Sequence, residues 1–227
     1  MTWVLNNLEQ IIELTLVHIR LSILPIVVGF LVSIPLGWVA HRYRHTRGLI
    51  LTVVGLLYTI PSLALFVILP PVLGIPYTSE ANVLIALSIY AVAIMARSMA
   101  DALASVDPDI TQAATAVGFS SWRRFWTVEF PLAGPVLLAG LRVVAVSTVS
   151  LLTVGVVVGV GSLGYLFTNG SQRGILASVL AGVVATVLIA LVFDRVLALL
   201  GLWLMPWTRS ERRARTSIVD PSRSATA

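Results

Sequence analysis

The chain has 227 residues, 58% of them hydrophobic and only 11% charged, where an ordinary soluble domain carries roughly 25% charged residues. Together with a mean hydropathy of +0.97, this excludes a disordered chain, a nucleic-acid-binding domain and almost any water-soluble enzyme. It predicts an all-α integral membrane protein with several spans of about 20 apolar residues each. There is no cysteine, hence no disulfide and no thiolate metal site, and the net charge of +5 comes from arginine alone because the chain has no lysine.

In residues 1–20, Leu5, Leu8, Ile12, Leu16 and Ile19 recur at helical spacing around Glu9 and Glu13. The pattern predicts an amphipathic helix at the outer interface. The early acidic residues argue against a cleavable signal peptide, which needs a basic leader. The membrane domain is expected over 21–206. Span one covers 21–40 and ends at the basic loop His41-Arg42-Tyr43-Arg44-His45-Thr46-Arg47. Span two covers 49–69 and stops at Pro70-Pro71, since proline removes a backbone donor and clashes with the preceding turn. Span three covers 81–100. After a polar loop come span four, 136–160, and span five, 175–205, followed by an Arg- and Ser-rich tail over 207–227.

The arginines orient these five spans. Arg42, Arg44 and Arg47 lie in the first loop, Arg97, Arg123 and Arg124 around the third, and Arg209, Arg212, Arg213 and Arg215 in the tail. The second loop has none and the fourth only Arg173. The positive-inside rule then places the C-terminus in the cytoplasm and, with an odd number of spans, the N-terminus outside.

Catalytic and nucleotide signals are weak. Gly159-Val160-Gly161-Ser162-Leu163-Gly164 matches G-x-G-x-x-G, but at the end of a membrane span it lacks the strand and helix of a dinucleotide site. Gly155 and Gly159 form G-x-x-x-G, which reads equally as a helix-packing motif and as chance among small residues. Ser162 has no base near it in sequence: His41 and His45 fall on the opposite side, and His18 sits at the outer interface. No metal-binding constellation occurs, so neither an enzyme nor a metal site is expected. Arg142, Asp194 and Arg195 are charges within spans, and pairing between helices or snorkelling explains them better than a proton relay.

The long loop 107–130 is the most informative segment. Asp107 can cap a helix with Pro108 at its first position, Gly118 can end it, and Ser120 or Ser121 can cap a second helix ending at Pro131. Phe119, Trp122, Phe125 and Trp126 add large apolar surface. A helix pair of this kind reads as a cytoplasmic docking element for a soluble partner, with a loop packed on its own spans as the plainer alternative. In the spans, small and polar residues recur among the aliphatics around Tyr58, Pro61, Ser62 and Leu65 and around Ser147 and Ser150. They are expected near a translocation path, with Pro61 leaving the carbonyl of residue 57 for a hydrated cavity. Ordinary helix packing is an equal reading. The chain has no phosphate-binding loop and no lysine to serve one, so energy from ATP has to come from another chain.

In the loop, Gln112-Ala113-Ala114, Gly118 and Pro131 have the spacing of the cytoplasmic signature of ABC importer permeases, E-A-A, three residues, G, then about a dozen residues to a proline. Gln112 stands where that signature has Glu. Further motifs resemble the glycine betaine/carnitine/choline (osmoprotectant) branch: His18-Ile19-Arg20-Leu21-Ser22, Ile34-Pro35-Leu36-Gly37, Ile60-Pro61-Ser62-Leu63-Ala64-Leu65, Glu129-Phe130-Pro131-Leu132-Ala133-Gly134-Pro135, Ala139-Gly140-Leu141-Arg142 and the glycine-rich 159–164. They occur in order and in register with the spans, from about His18 to Leu200.

The resemblance implies a non-catalytic transmembrane subunit of an importer in a bacterial inner membrane. It implies a second permease subunit, either the same or a related chain, two ATPase subunits that use the ATP, and an extracytoplasmic substrate-binding protein. The implied cargo is a quaternary amine such as glycine betaine, choline, carnitine or proline betaine. Gln112, Ala113, Ala114, Gly118, Phe119 and Trp122 would form the ATPase-coupling loop. No cofactor of the chain itself and no nucleic acid is implied. A stand-alone secondary carrier or channel is the alternative, disfavoured by the docking loop and by the shortage of ionisable groups at mid-membrane.

Overall fold

In a chain this apolar, backbone groups within lipid must be satisfied inside the segment that carries them, and helices do so. The structure, a computed structural model, describes residues 2–208. Those residues form helices joined by short turns, with no strand among them. A short helix α1 (Thr2–Asn6) leads into α2 (Leu8–Arg42), which runs unbroken through Pro25 and Pro35. Residues 8–20, expected as a separate interfacial segment, are therefore the start of the first long helix. Its stripe is split: Leu5, Leu8, Ile12 and Leu16 are exposed, while Trp3, Ile11, Leu14 and Ile19 pack in one cluster with Leu163, Leu166 and Ile189.

The second apolar run differs more from expectation. It forms α3 (Arg44–Thr59) and α4 (Ser62–Leu73), bent by 100° at the break between them. Ile60 precedes a proline, which disfavours helical backbone, and it adopts φ −64°, ψ 128°. Pro70 and Pro71, expected to stop the helix, lie in its last turn, and Gly74 closes it at φ +67°. The described residues thus contain four helices long and apolar enough to span a membrane, or five with the bent pair counted as one.

Helix α5 (Glu80–Ala104) is capped by Ser79, whose hydroxyl accepts from the Ala81 N–H at 3.2 Å. It is the centre of the bundle. Met95, Met99 and Leu103 are fully buried, and α5 packs against α2, α3 and α8 (Phe130–Leu152). Close approach comes from small residues: a Cβ on Gly29 would fall 2.5 Å from the Cβ of Ala91. After α8 the chain tightens into a 3-10 turn over Thr153–Val158 and reverses at Gly159, φ +85°. It then forms α9 (Gly164–Gln172) and α10 (Leu176–Leu204). The glycine-rich stretch is this reversal. Gly164 lies against the carbonyl of Thr153 where no side chain fits, and the Ser162 hydroxyl donates to the Leu152 carbonyl at 3.4 Å.

Arg142 on α8 and Asp194 on α10 form a two-pronged ion pair, Nε to Oδ1 at 2.6 Å and Nη2 to Oδ2 at 2.8 Å. The in-span charges are accordingly a tie between helices.

Candidate coupling segment and transmembrane cavity

The loop after α5 folds as two helices. α6 (Pro108–Ala116) starts at Asp107, whose carboxylate accepts from the Asp109 N–H at 2.9 Å. It ends in a Schellman turn: the Gly118 N–H bonds the Thr115 carbonyl at 3.0 Å, and the Phe119 N–H bonds the Ala114 carbonyl at 3.1 Å. That turn places Gly118 at φ +87°, in the left-handed region, while a Cβ there would meet no atom within 4 Å. The demand on residue 118 within this chain is therefore conformational.

Ser120 caps α7 (Ser121–Arg124). The second helix does not stop at Pro131. It passes through one π-helical turn, Phe125–Glu129, in which the Phe130 N–H reaches the Phe125 carbonyl, and continues as α8. Proline at 131 is accommodated because it lies in the first turn of the resumed α-helix, where a missing N–H matters least. Span four consequently begins at the loop itself rather than at residue 136.

Two sets of contacts hold the pair. Arg124 donates from Nε to Glu129 Oε1 at 2.6 Å and from Nη1 to the Thr115 hydroxyl at 2.7 Å, clamping α6 to the π-helical turn. Glu129 is 3% exposed, and burial strengthens a charge-assisted bond of this kind. On the other side Phe125, 1% exposed, packs its ring against Trp38 of α2, Trp126 and Phe130. Trp122 stands edge-on to Trp38 with ring centroids 5.8 Å apart. The loop is thus fixed to α2 as well as to α8.

Of the expected coupling residues, Ala114 is buried against the chain. Gln112, Ala113 and Gly118 are exposed, and Phe119 is half-buried beneath the Arg123 guanidinium, 4.8 Å away. Ile110, Ala113 and Val117 share one outward face of α6, with Val117 74% exposed, and Trp122 beyond the turn is 60% exposed. Residue types alone did not single out Trp38, Thr115 or Arg124. A five-residue spacing between Arg124 and Glu129 does not suit an α-helical pair, and only the π-helical turn brings them together.

The expected translocation residues separate. Tyr58 and Ser147 line one cavity of about 300 Å³ between α3, α5 and α8, which also takes in Arg97, Ser98 and Asp101. Asp101 pairs with Arg47 of α3 at 3.5 Å. Pro61 is exposed and Ser62 half-buried at the helix break, Ser150 is exposed on α8, and Leu65 lies in the core with Phe66, Val83 and Leu87. None of these four lines that cavity. The freed carbonyl also differs from expectation. That of Leu57 accepts the Ile60 N–H at 3.4 Å, and that of Ile60 accepts the Tyr90 hydroxyl.

The comparisons with known proteins agree with this architecture. Residues 26–205 match the family described as binding-protein-dependent transport system inner membrane component, and the chain belongs to that family. It is 29% identical to the osmoprotectant import permease protein OsmW of Salmonella typhimurium, over 90% of this chain and 96% of the relative. It is 27% identical to the glycine betaine/carnitine/choline transport system permease protein OpuCB of Bacillus subtilis, over 87% and 90%. Among solved structures, a chain of the MetNI methionine ABC transporter in an inward-facing conformation superposes with a TM-score of 0.73 at 19% identity, covering 87% of this chain and 96% of that one. The protein is therefore a multi-pass inner-membrane permease with the fold of an ABC transporter subunit, as the order of its motifs implied.

Proposed function

We propose that this permease passes a small osmoprotectant of the glycine betaine, choline or carnitine type into the cell, driven by ATPase subunits that seat against α6 and α7. The substrate class is supported by the names of relatives that match nearly end to end. The coupling role is supported by one observation above all: a helix pair with an unpartnered outward face runs without a break into α8. A push on Ile110, Ala113 and Val117 passes through the Arg124 clamp into α8 and through Trp38 into α2. Gln112 meets the ATPase without the charge that Glu would bring.

In this reading the Arg-rich loops face the cytoplasm, the chain hydrolyses no ATP and needs no cofactor of its own, and a second permease subunit completes the path. An extracytoplasmic binding protein delivers the cargo. The test is Gly118→Asp in the transporter assembled with its ATPase and binding protein. A residue with a Cβ is strained at φ +87°, so the variant is expected to insert normally and to lose ATP-driven uptake of labelled osmoprotectant. ATP-driven uptake at the wild-type rate, or uptake by the permease with no ATPase present, overturns the proposal.

A further inference from the structure

Two apolar cavities of about 440 and 420 Å³ are lined almost wholly by groups such as Leu24, Leu57 and Ile85, or Leu137, Leu200 and Phe130. The smaller one between α3, α5 and α8 is different in kind. Its wall carries a guanidinium, a carboxylate, a phenol and two hydroxyls, from Arg97, Asp101, Tyr58, Ser98 and Ser147. Arg97, itself exposed, and Asp101 lie toward the end of α5 that meets the Arg-rich first loop, and in a chain with so few charges their grouping at the mouth of one recess calls for a ligand or for one another.

Mutual pairing accounts for only half of them. Asp101 is neutralised by Arg47 at 3.5 Å. Arg97 lies four residues earlier on the same face of α5, and among the described residues no hydrogen bond or ion pair engages it. The uncompensated charge of the recess is therefore positive. A guanidinium recognises a carboxylate through two parallel hydrogen bonds. In the wall of the same cavity, Tyr58 stands edge-on to Tyr90 with ring centroids 6.2 Å apart, while 54% of its surface stays exposed. Aromatic rings attract quaternary ammonium groups.

We infer that this cavity is a transit subsite for a betaine, a zwitterion with a carboxylate near a quaternary ammonium group, in which Arg97 takes the carboxylate and Tyr58 the ammonium group. A cavity of about 300 Å³ suits a small solute. Choline has the ammonium group without the carboxylate and would leave Arg97 unpaired, so the subsite favours betaines over choline. This assignment rests on the transport reading above for its role, but not for its chemistry.

The absence of native cysteine makes the test direct. Gly55 lines the cavity, and a Cβ added there meets nothing within 4 Å. A Gly55→Cys permease in proteoliposomes is treated with a water-soluble thiosulfonate in the presence of glycine betaine or of choline at equal concentration. A charge-assisted contact corresponds to a difference of about tenfold, so glycine betaine is expected to slow modification about tenfold more than choline does. Arg97→Gln should abolish that difference, and Arg97→Lys should keep part of it. Equal protection by the two solutes, no protection, or a cysteine that never reacts overturns the subsite. Should Arg97→Gln fail to fold, the two-solute comparison on Gly55→Cys alone decides. Uptake by the assembled transporter separates the two claims: uptake without protection removes only the subsite, and selective protection without uptake removes only the transport reading.

Discussion

Helices α5 and α10 are both long and apolar, yet they behave oppositely. In the most apolar stretch of α5, 56% of the residues are buried inside the protein, against 17% for α10. Were hydrophobicity to decide burial, as in water, the more leucine- and valine-rich α10 would sit at the centre. In lipid it gains nothing by doing so, because the surrounding chains are as apolar as a protein core. What places α5 at the centre is size. Alanines and serines along it let α2 and α8 approach closely, with Gly29 against Ala91 and Gly140 against Ser98. α10 presents Val187, Leu188, Leu191 and Val192 outward and is held to α8 by the Arg142–Asp194 pair.

The sharpest way to break this contrast is Gly29→Val. Its Cβ would lie 2.5 Å from the Ala91 Cβ and 2.9 Å from the Ala91 carbonyl carbon, so backbone would have to move. Overpacking typically costs about 1–3 kcal/mol, and the upper end or outright misfolding is expected. Denaturant unfolding in detergent, followed by tryptophan fluorescence, measures it; wild-type stability would remove α5 as the organising helix.

A smaller effect is expected from Asp194→Asn. It leaves the Arg142 guanidinium without its carboxylate, and α10 should loosen, seen as faster modification of a cysteine placed at Val196. The double variant Arg142→Leu with Asp194→Leu should loosen less than the single one, since removing both partners strands no charge. The reverse order would mean that the pair does not tether α10. Least of all is expected from Val187→Ala on the outward face of α10. At that exposed position the change should stay within about 0.5 kcal/mol in the same unfolding measurement; a loss as large as that of Gly29→Val would show that α10 is packed against protein.

Much of the coupling segment was legible because its signals are local. Asp107 with Pro108, the left-handed turn at Gly118 and the Ser120 cap each depend on the backbone within a few residues. The reach of α2 back to Leu8 and the passage of α7 into α8 past Pro131 were not legible, since proline stops a helix only where its missing N–H or its ring conflicts with the turn before it. The cavity was half legible. Tyr58 and Ser147 stood out as polar groups among aliphatics, whereas Ser62 and Ser150 shared that signal and lie outside the cavity.

From sequence alone follow the membrane class, the helical fold, the alternation of basic loops and the family motifs, because apolar run length, arginine placement and turn residues act within one segment at a time. Tertiary structure alone decides that the second apolar run bends by 100° at Ile60 and Pro61, that Arg124 joins Thr115 to Glu129, that Arg142 meets Asp194, and that Arg97, without an ion-pair partner among the described residues, lines one cavity with Tyr58. Each of these depends on which faces of separate helices meet. In lipid that choice turns on close packing and paired charges, which no single segment's hydrophobicity encodes.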